Sequence, residues 1–295
     1  MLQPLETAWL SAAKAQAAML RLDLLHPEVS GNKWFKLKYH LEAALYQKKD
    51  TLLTFGGNRS NHIAATAAAC HLLGLKSIGI IRGEDEPGNP TLIRARQLGM
   101  HLQFVSRTTY RQKNSPAFLH SLQQKYPTAY LVPEGGNSLL GVRGAAEILQ
   151  CCAIETFTHI CCPVGTGTTL AGLILAARPG QQIWGFAVFK KADEQRTAVR
   201  SWLQQQAEPG RMGAAWQMIT DYAMGGFAKS TPELKAFMQT FTQETGIPLD
   251  RVYTAKMLWG IRDRMLRGDF PPKSRVLILH TGGLQGNPEV PGRVR

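Results

Sequence analysis

Lys33 stands directly behind Ser30, Gly31 and Asn32 in the stretch VSGNKWFKLKYHL, with Lys36 and Lys38 close behind it. A lysine amine becomes a nucleophile or a base only after losing its proton, which burial and nearby positive charge promote. Lys36 and Lys38 are the candidates to supply that charge. Further along, CCPVGTGTTLAGL sets Gly165 and Gly167 among the hydroxyls of Thr166, Thr168 and Thr169, where a helix begins. Unpaired N–H groups at a helix start attract an anion, so the loop reads as a phosphate cup; taken alone, an ordinary glycine turn is the plainer reading. A second loop, GGNRSNH, brings Asn58, Ser60, Asn61 and His62 to another helix start and suits a carboxylate or a ring hydroxyl. There the plainer reading makes Ser60 or Asn61 a helix N-cap. A third, SRVLILHTGGLQG, runs a buried-type strand into His280, Thr281 and paired glycines.

The cup narrows the ligand. Leu170 stands where the third glycine of G-x-G-x-x-G belongs, and the following strand QIWGFAVFK ends in Phe189 and Lys190 rather than a ribose-binding acid. A dinucleotide is disfavoured, and the chain has no G-x-x-x-x-G-K-[ST] for a nucleoside triphosphate. A single dianionic phosphate fits the loop. One cofactor uses a lysine amine for its aldehyde, a cup for one phosphate and a polar partner for a heteroaromatic ring. That cofactor is pyridoxal 5′-phosphate.

The elements that must position these residues follow a repeating pattern. TLLTF leads through GGNRSNH into IAATAAACHLLG, KSIGII leads to NPTLIRARQLG, HLQFVS to AFLHSLQQKYP, AYLVP to LLGVRGAAEILQ, and THICCPV through the cup into LAGLILAA. Short apolar runs alternating with helical periods predict βαβ units and mostly parallel sheets, an α/β fold. Two glycine-rich strand-to-helix loops predict two sheets facing one cleft. With 44% hydrophobic residues the chain has ample material for a core. No apolar run approaches a membrane span and no signal peptide opens the chain, which makes a cytoplasmic protein the expectation. The +13 charge raises nucleic-acid binding, but the basic residues are scattered, and Arg94 and Arg96 are spaced too closely to share a helical face. The vicinal pairs Cys151–Cys152 and Cys161–Cys162 are not Cys-x-x-Cys, so reduced thiols and no metal site are expected. Cys161 and Cys162 read as small apolar residues of a buried strand.

From LRLDLLHPEVSGNKWFKL to LHTGGLQG the chain resembles the pyridoxal-phosphate family of 1-aminocyclopropane-1-carboxylate deaminase and D-cysteine desulfhydrase, within the tryptophan synthase β-like fold. The resemblance implies that Lys33 holds the cofactor aldehyde and moves the Cα proton. It implies that Asn61 bonds the cofactor's phenolic oxygen, that Ser60 lies beside the substrate carboxylate, and that Val164 to Thr169 hold the phosphate. Tyr253, in RVYTAKM, matches a tyrosine near the cofactor, and Thr281 a threonine near the ring nitrogen. His62 joins Asn58 and Ser60 as a candidate for substrate.

This chain departs from the family pattern in three places. Thr254 replaces the glutamate that follows the tyrosine in the deaminases, which disfavours opening of a cyclopropane ring. Phe227 replaces a tyrosine that contacts substrate or cofactor; Tyr222 is a weaker source for the missing hydroxyl. Asn58 replaces a glutamine at the carboxylate pocket. The expectation is a lyase that eliminates a β-substituent from a small amino acid, D-cysteine first. The alternatives are the cyclopropane deaminase, another D-amino-acid enzyme, or a cofactor-binding protein without turnover. The resemblance also implies a homodimer and two units, a smaller one at 36–140 and a larger one of 1–35 and 141–295.

Overall fold

The computed structural model describes residues 1–206 and 214–287. Its strands are β1 (Leu2–Pro4), β2 (Gln16–Arg21), β3 (Thr51–Gly57), β4 (Lys76–Arg82), β5 (Met100–Val105), β6 (Ala129–Val132), β7 (His159–Val164), β8 (Gln182–Ala187), β9 (Ala215–Ile219) and β10 (Arg275–His280). Its helices are α1 (Ala8–Ala12), α2 (Asn32–Tyr46), α3 (Asn61–Leu72), α4 (Pro90–Gln97), α5 (Arg107–Arg111), α6 (Pro116–Lys125), α7 (Leu139–Ala146), α8 (Thr168–Ala176), α9 (Asp193–Gln205), α10 (Pro232–Thr245) and α11 (Thr254–Leu266). The strands form two sheets, ordered β1-β2-β10-β7-β8-β9 and β5-β4-β3-β6. Every pairing is parallel except that of β1 with β2. The expected α/β class, with mostly parallel sheets, is what the chain adopts.

Parallel strands covered on both faces must be apolar on both. In β7, Ile160, Cys162 and Val164 pack into one cluster and Cys161 into another. β10 alternates in step, with Leu277 and Leu279 on the first face and Val276 and Ile278 on the second. Cys161 and Cys162 thus act as small apolar residues, and all the cysteines are free thiols. Burial raises the Cys161 and Cys162 pKa values, which keeps both protonated and unreactive.

The larger sheet opens where β7 ends. The β7–β10 register runs only to Cys161 opposite Ile278, short of Pro163, which has no N–H to donate. On its other edge β7 stays paired with β8 through Val164. The released end leads straight into the Gly165–Thr169 loop.

Candidate functional site

The carboxyl ends of β3, β6, β7 and β10 supply the site, where parallel sheets place their ligands. α2 brings the sheets together. Gly31, at φ 69°, precedes its first turn, and a Cβ there would lie 2.0 Å from the carbonyl oxygen of Thr281. Only glycine permits so close an approach. The SGNK start of the helix is thereby held against HTGG at the end of β10.

Lys33 occupies the first turn of α2, with Nζ donating to Asn32 Oδ1 at 3.0 Å. The residue as a whole is half-buried because it lines the cleft, yet the amine lies deep. Burial lowers its pKa from 10.5 to about 8, against an opposing pull from Asp250. The positive end of the helix dipole acts in the same direction as burial. Lys36, three residues on, shares this face. It is 3% exposed, its Nζ donates to Thr166 Oγ1 at 3.2 Å, and no carboxylate pairs with it among the described residues. Burial first, then the charge of Lys33, pulls its pKa well below the usual value.

Lys38 corrects an expectation. Its place on the helix turns it away from Lys33, and it pairs with Glu147 at 2.7 Å, which also accepts from Tyr39. The bond to Glu147 raises the Lys38 pKa, so of the two neighbouring lysines only Lys36 is coupled to Lys33, whose charge adds to burial in lowering the Lys36 pKa.

The Gly165–Thr169 loop forms a hydrogen-bonded chain. Lys36 donates to Thr166, Thr166 and Thr168 hydroxyls meet at 2.9 Å, and Thr168 donates to Asn137 Oδ1 at 2.9 Å. Asn32 Nδ2 donates to Thr169 Oγ1 at 2.8 Å. Gly167, at φ 90°, turns the loop so that α8 begins there. A buried ammonium without a counter-ion, three hydroxyls and a helix N-terminus converge on one spot. A dianionic phosphate supplies the partner that Lys36 lacks, so these residues fit the cofactor inferred from sequence.

The GGNRSNH loop divides. Ser60 is the N-cap of α3, accepting from the His62 and Ile63 amides at 3.2 and 3.3 Å. Asn61 Oδ1 accepts from Gln285 Nε2, which ties this helix start to the segment after β10. His62 is buried, with Nε2 2.9 Å from Thr54 Oγ1. Because the Thr54 hydroxyl donates to Val132 O, His62 Nε2 carries the proton, and Nδ1 is a buried acceptor without a partner. Burial, then Lys33, Lys36 and His40, drives the His62 pKa well down and keeps the ring neutral. Asn58 is not brought into this group. Its Nδ2 donates to Glu84 O and Glu86 Oε1, at 3.2 and 2.8 Å, in the polar loop beyond β4.

The other wall comes from α11 and β10. A Cβ on Gly165 would lie 3.1 Å from Tyr253 Cε1, which places the Tyr253 ring over the cup. Burial, reinforced by Asp250 and Glu134, raises the Tyr253 pKa and leaves a protonated phenol at neutral pH. The Thr254 hydroxyl is fully engaged, accepting from the Asp250 amide at 2.8 Å and donating to its carbonyl at 3.1 Å. Phe227 is 45% exposed, its ring 5.3 Å from Phe189 and 6.2 Å from Tyr253, at the mouth rather than the floor. Thr281 is buried behind Gly31. His280 is satisfied on both ring nitrogens, bonded to Pro248 O and to the Gly282 amide. Tyr222 is buried, its hydroxyl 2.6 Å from Asp263 Oδ2.

Sequence reasoning missed Asn32, Asn137, Asp250 and Lys256, and it assigned Lys36 no contact. The i, i+3 spacing of Lys33 and Lys36 was a usable signal. Asp250 was legible only as a cap ahead of α11, its carboxylate accepting the Tyr253 amide at 2.5 Å. Burial pushes its pKa up to about 6 against those backbone donors.

Comparison with known proteins agrees with this geometry. Residues 3–282 match the family described as pyridoxal-phosphate dependent enzyme. The chain is 30% identical over 293 residues to a mitochondrial bifunctional D-cysteine desulfhydrase/1-aminocyclopropane-1-carboxylate deaminase of Arabidopsis thaliana, covering 90% of this chain and 72% of that one. It is 29% identical over 285 residues to a D-cysteine desulfhydrase of Yersinia pestis, covering 89% and 85%. The crystal structure of an ACC deaminase homologue superposes with a TM-score of 0.83 at 26% identity, covering 97% of this chain and 90% of that one. A family match along nearly the whole chain, joined to a buried lysine pair and a phosphate cup, makes this protein a pyridoxal-phosphate-dependent enzyme of the tryptophan synthase β-like fold.

Proposed function

We propose that this enzyme is a lyase that removes the β-substituent of D-cysteine, giving pyruvate, ammonia and sulfide. Lys33 would take the cofactor aldehyde, the loop from Gly165 to Thr169 with Lys36 would hold the phosphate, and Asn61 and Thr281 would meet the ring. Pyridoxal phosphate, when bound, supplies an aldehyde for the substrate amine and an electron sink for the pair left when Cα loses its proton. Lys33, with a pKa of about 8, is deprotonated often enough near neutrality to accept that proton. Burial keeps the Tyr253 phenol protonated, so it would face the departing sulfur as a hydrogen-bond donor. Ser60 and His62, at the start of α3, would hold the substrate carboxylate and amine side. Phe227 would border the substrate from the mouth. Asn58 carries no part in this reading.

The observation that carries desulfhydration over ring opening is the engaged hydroxyl of Thr254. It is spent on the main chain of Asp250, and no carboxylate stands at this position to hold the ring nitrogen protonated. The decisive assay offers the holoenzyme D-cysteine and 1-aminocyclopropane-1-carboxylate in parallel. Pyruvate and sulfide from the first, little 2-oxobutyrate from the second, and loss of both with Lys33→Ala are expected. Faster turnover of the cyclopropane substrate would reverse the assignment.

The same reading includes a homodimer in the cytoplasm and two structural units divided near residues 36 and 140. What supports the division is that Phe35 packs with the larger sheet's cluster while Leu37 and Ala44 pack with the smaller sheet's. No described helix is long and apolar enough to cross a membrane. Sedimentation of the purified protein tests the dimer.

A further inference from the structure

The segment that delivers Phe227 is strained. Met224 and Ala228 have φ of 47° and 58°, and Gly225 and Gly226 between them have 87° and 116°. Left-handed backbone is unfavourable for methionine and alanine, so such a run persists only where something else fixes it. The fixing group is Lys256. It is 1% exposed, and its Nζ donates to the carbonyls of Ala223 at 3.0 Å and Gly226 at 2.7 Å. Asp250 lies near enough to favour its charge, while burial lowers its pKa to about 8. Tyr253 is the N-cap of α11 and Lys256 lies in its first turn, three residues on. Phe227 follows directly from the clamped Gly226 carbonyl, stacked on Phe189 and edge-on to Tyr253.

We propose that Lys256 is a positioning residue whose ammonium clamps the Ala223 and Gly226 carbonyls and thereby holds Phe227 as the apolar wall that selects the substrate's β-substituent. This rests on the elimination reading above and concerns one discrimination at that site, D-cysteine over D-serine. An aromatic ring at the mouth of the cleft, if a β-substituent reaches it, favours sulfur and offers a hydroxyl no hydrogen bond. The buried ammonium is used on main-chain carbonyls rather than on substrate, so its effect reaches the reaction only through Phe227.

The test is a double-mutant cycle on the holoenzyme, reading the ratio of kcat/KM for D-cysteine over D-serine. Lys256→Met and Phe227→Ala should each lower that ratio about tenfold, and the double variant should lower it no further, because both act through one side chain. Lys256→Gln, which keeps two N–H donors, should restore part of it. Additive losses would overturn the clamp. Independently of activity, amide hydrogen exchange at Gly226 and Lys229 should quicken at least tenfold in Lys256→Met while α11 and cofactor absorbance stay as in wild type; unchanged exchange would also overturn it. Should Lys256→Met not fold, Gly226→Ala displaces the loop from its own side and should reproduce the Phe227→Ala ratio, and a wild-type ratio there counts against the proposal. If wild type makes no pyruvate from either amino acid, the elimination reading fails, while the exchange measurement still decides the clamp.

Discussion

Three lysines within one helix do three different things, and the helical repeat explains why. Lys33 and Lys36 share a face, and the charge of Lys33 adds to burial in lowering the affinity of Lys36 for a proton; Lys38 is turned to Glu147 and keeps its own. The unfolded chain binds a proton at Lys33 up to about pH 10.5, the folded chain only to about pH 8. Folding therefore pays a cost at Lys33 that is constant below about pH 8 and shrinks as pH rises from there toward 10.5. Lys33→Met should accordingly stabilise the apoprotein at neutral pH, with the gain in urea midpoint narrowing across that window. A gain that does not change with pH would place the Lys33 amine in solvent. The same titration should appear when the apoprotein takes up cofactor, the rate of uptake rising through about pH 8 as the free amine accumulates.

At the scale of elements, most of the parallel framework was legible. The runs TLLTF, KSIGII, HLQFVS, AYLVP, THICCPV, QIWGFAVF and SRVLILH became β3 to β8 and β10; of these β3, β4, β7, β8 and β10 are buried on both faces, which leaves continuous apolar runs. The edge strands β1 and β9 left no such trace, and their burial is partial. Buried charge was the least legible feature. Lys256 and Asp250 look like ordinary solvated residues until α11, the strained loop and Gly283 are packed around them, since burial is a property of the fold rather than of the spacing. The joint between α2 and β10 was legible in its residues but not in its tightness. Gly31→Ala would put a methyl group 2.0 Å from the Thr281 carbonyl oxygen. It should separate the start of α2 from β10, costing about 2 kcal/mol or more of stability and removing Lys33 from reach of the cup. The absorbance of bound cofactor and the urea midpoint should therefore fall together in this variant, whereas Gly74→Ala, at a turn with open space around it, should lower the midpoint alone.

Across the whole molecule, the site draws on both sheets: Ser60, Asn61 and His62 follow β3 of the smaller one, while the cup follows β7 and Thr281 follows β10 of the larger. A ligand that touches only the cup stabilises one body, whereas a ligand that spans the cleft stabilises their arrangement as well. Any ligand that binds only the native state adds roughly 2.7 kcal/mol at a hundredfold excess over its Kd. Inorganic phosphate should raise Tm modestly, through Lys36 and the hydroxyls of Thr166, Thr168 and Thr169. Pyridoxal phosphate should raise it further at equal concentration, because contacts to Lys33 and Asn61 from the other side lower its Kd. Lys36→Met should abolish the response to phosphate and weaken cofactor binding by about ten- to a hundredfold, the worth of a charged hydrogen bond. Lys33→Ala should leave the response to phosphate intact and shrink only the additional rise. If Lys36→Met leaves the phosphate response unchanged, the anion is held elsewhere and the cup is an ordinary glycine turn.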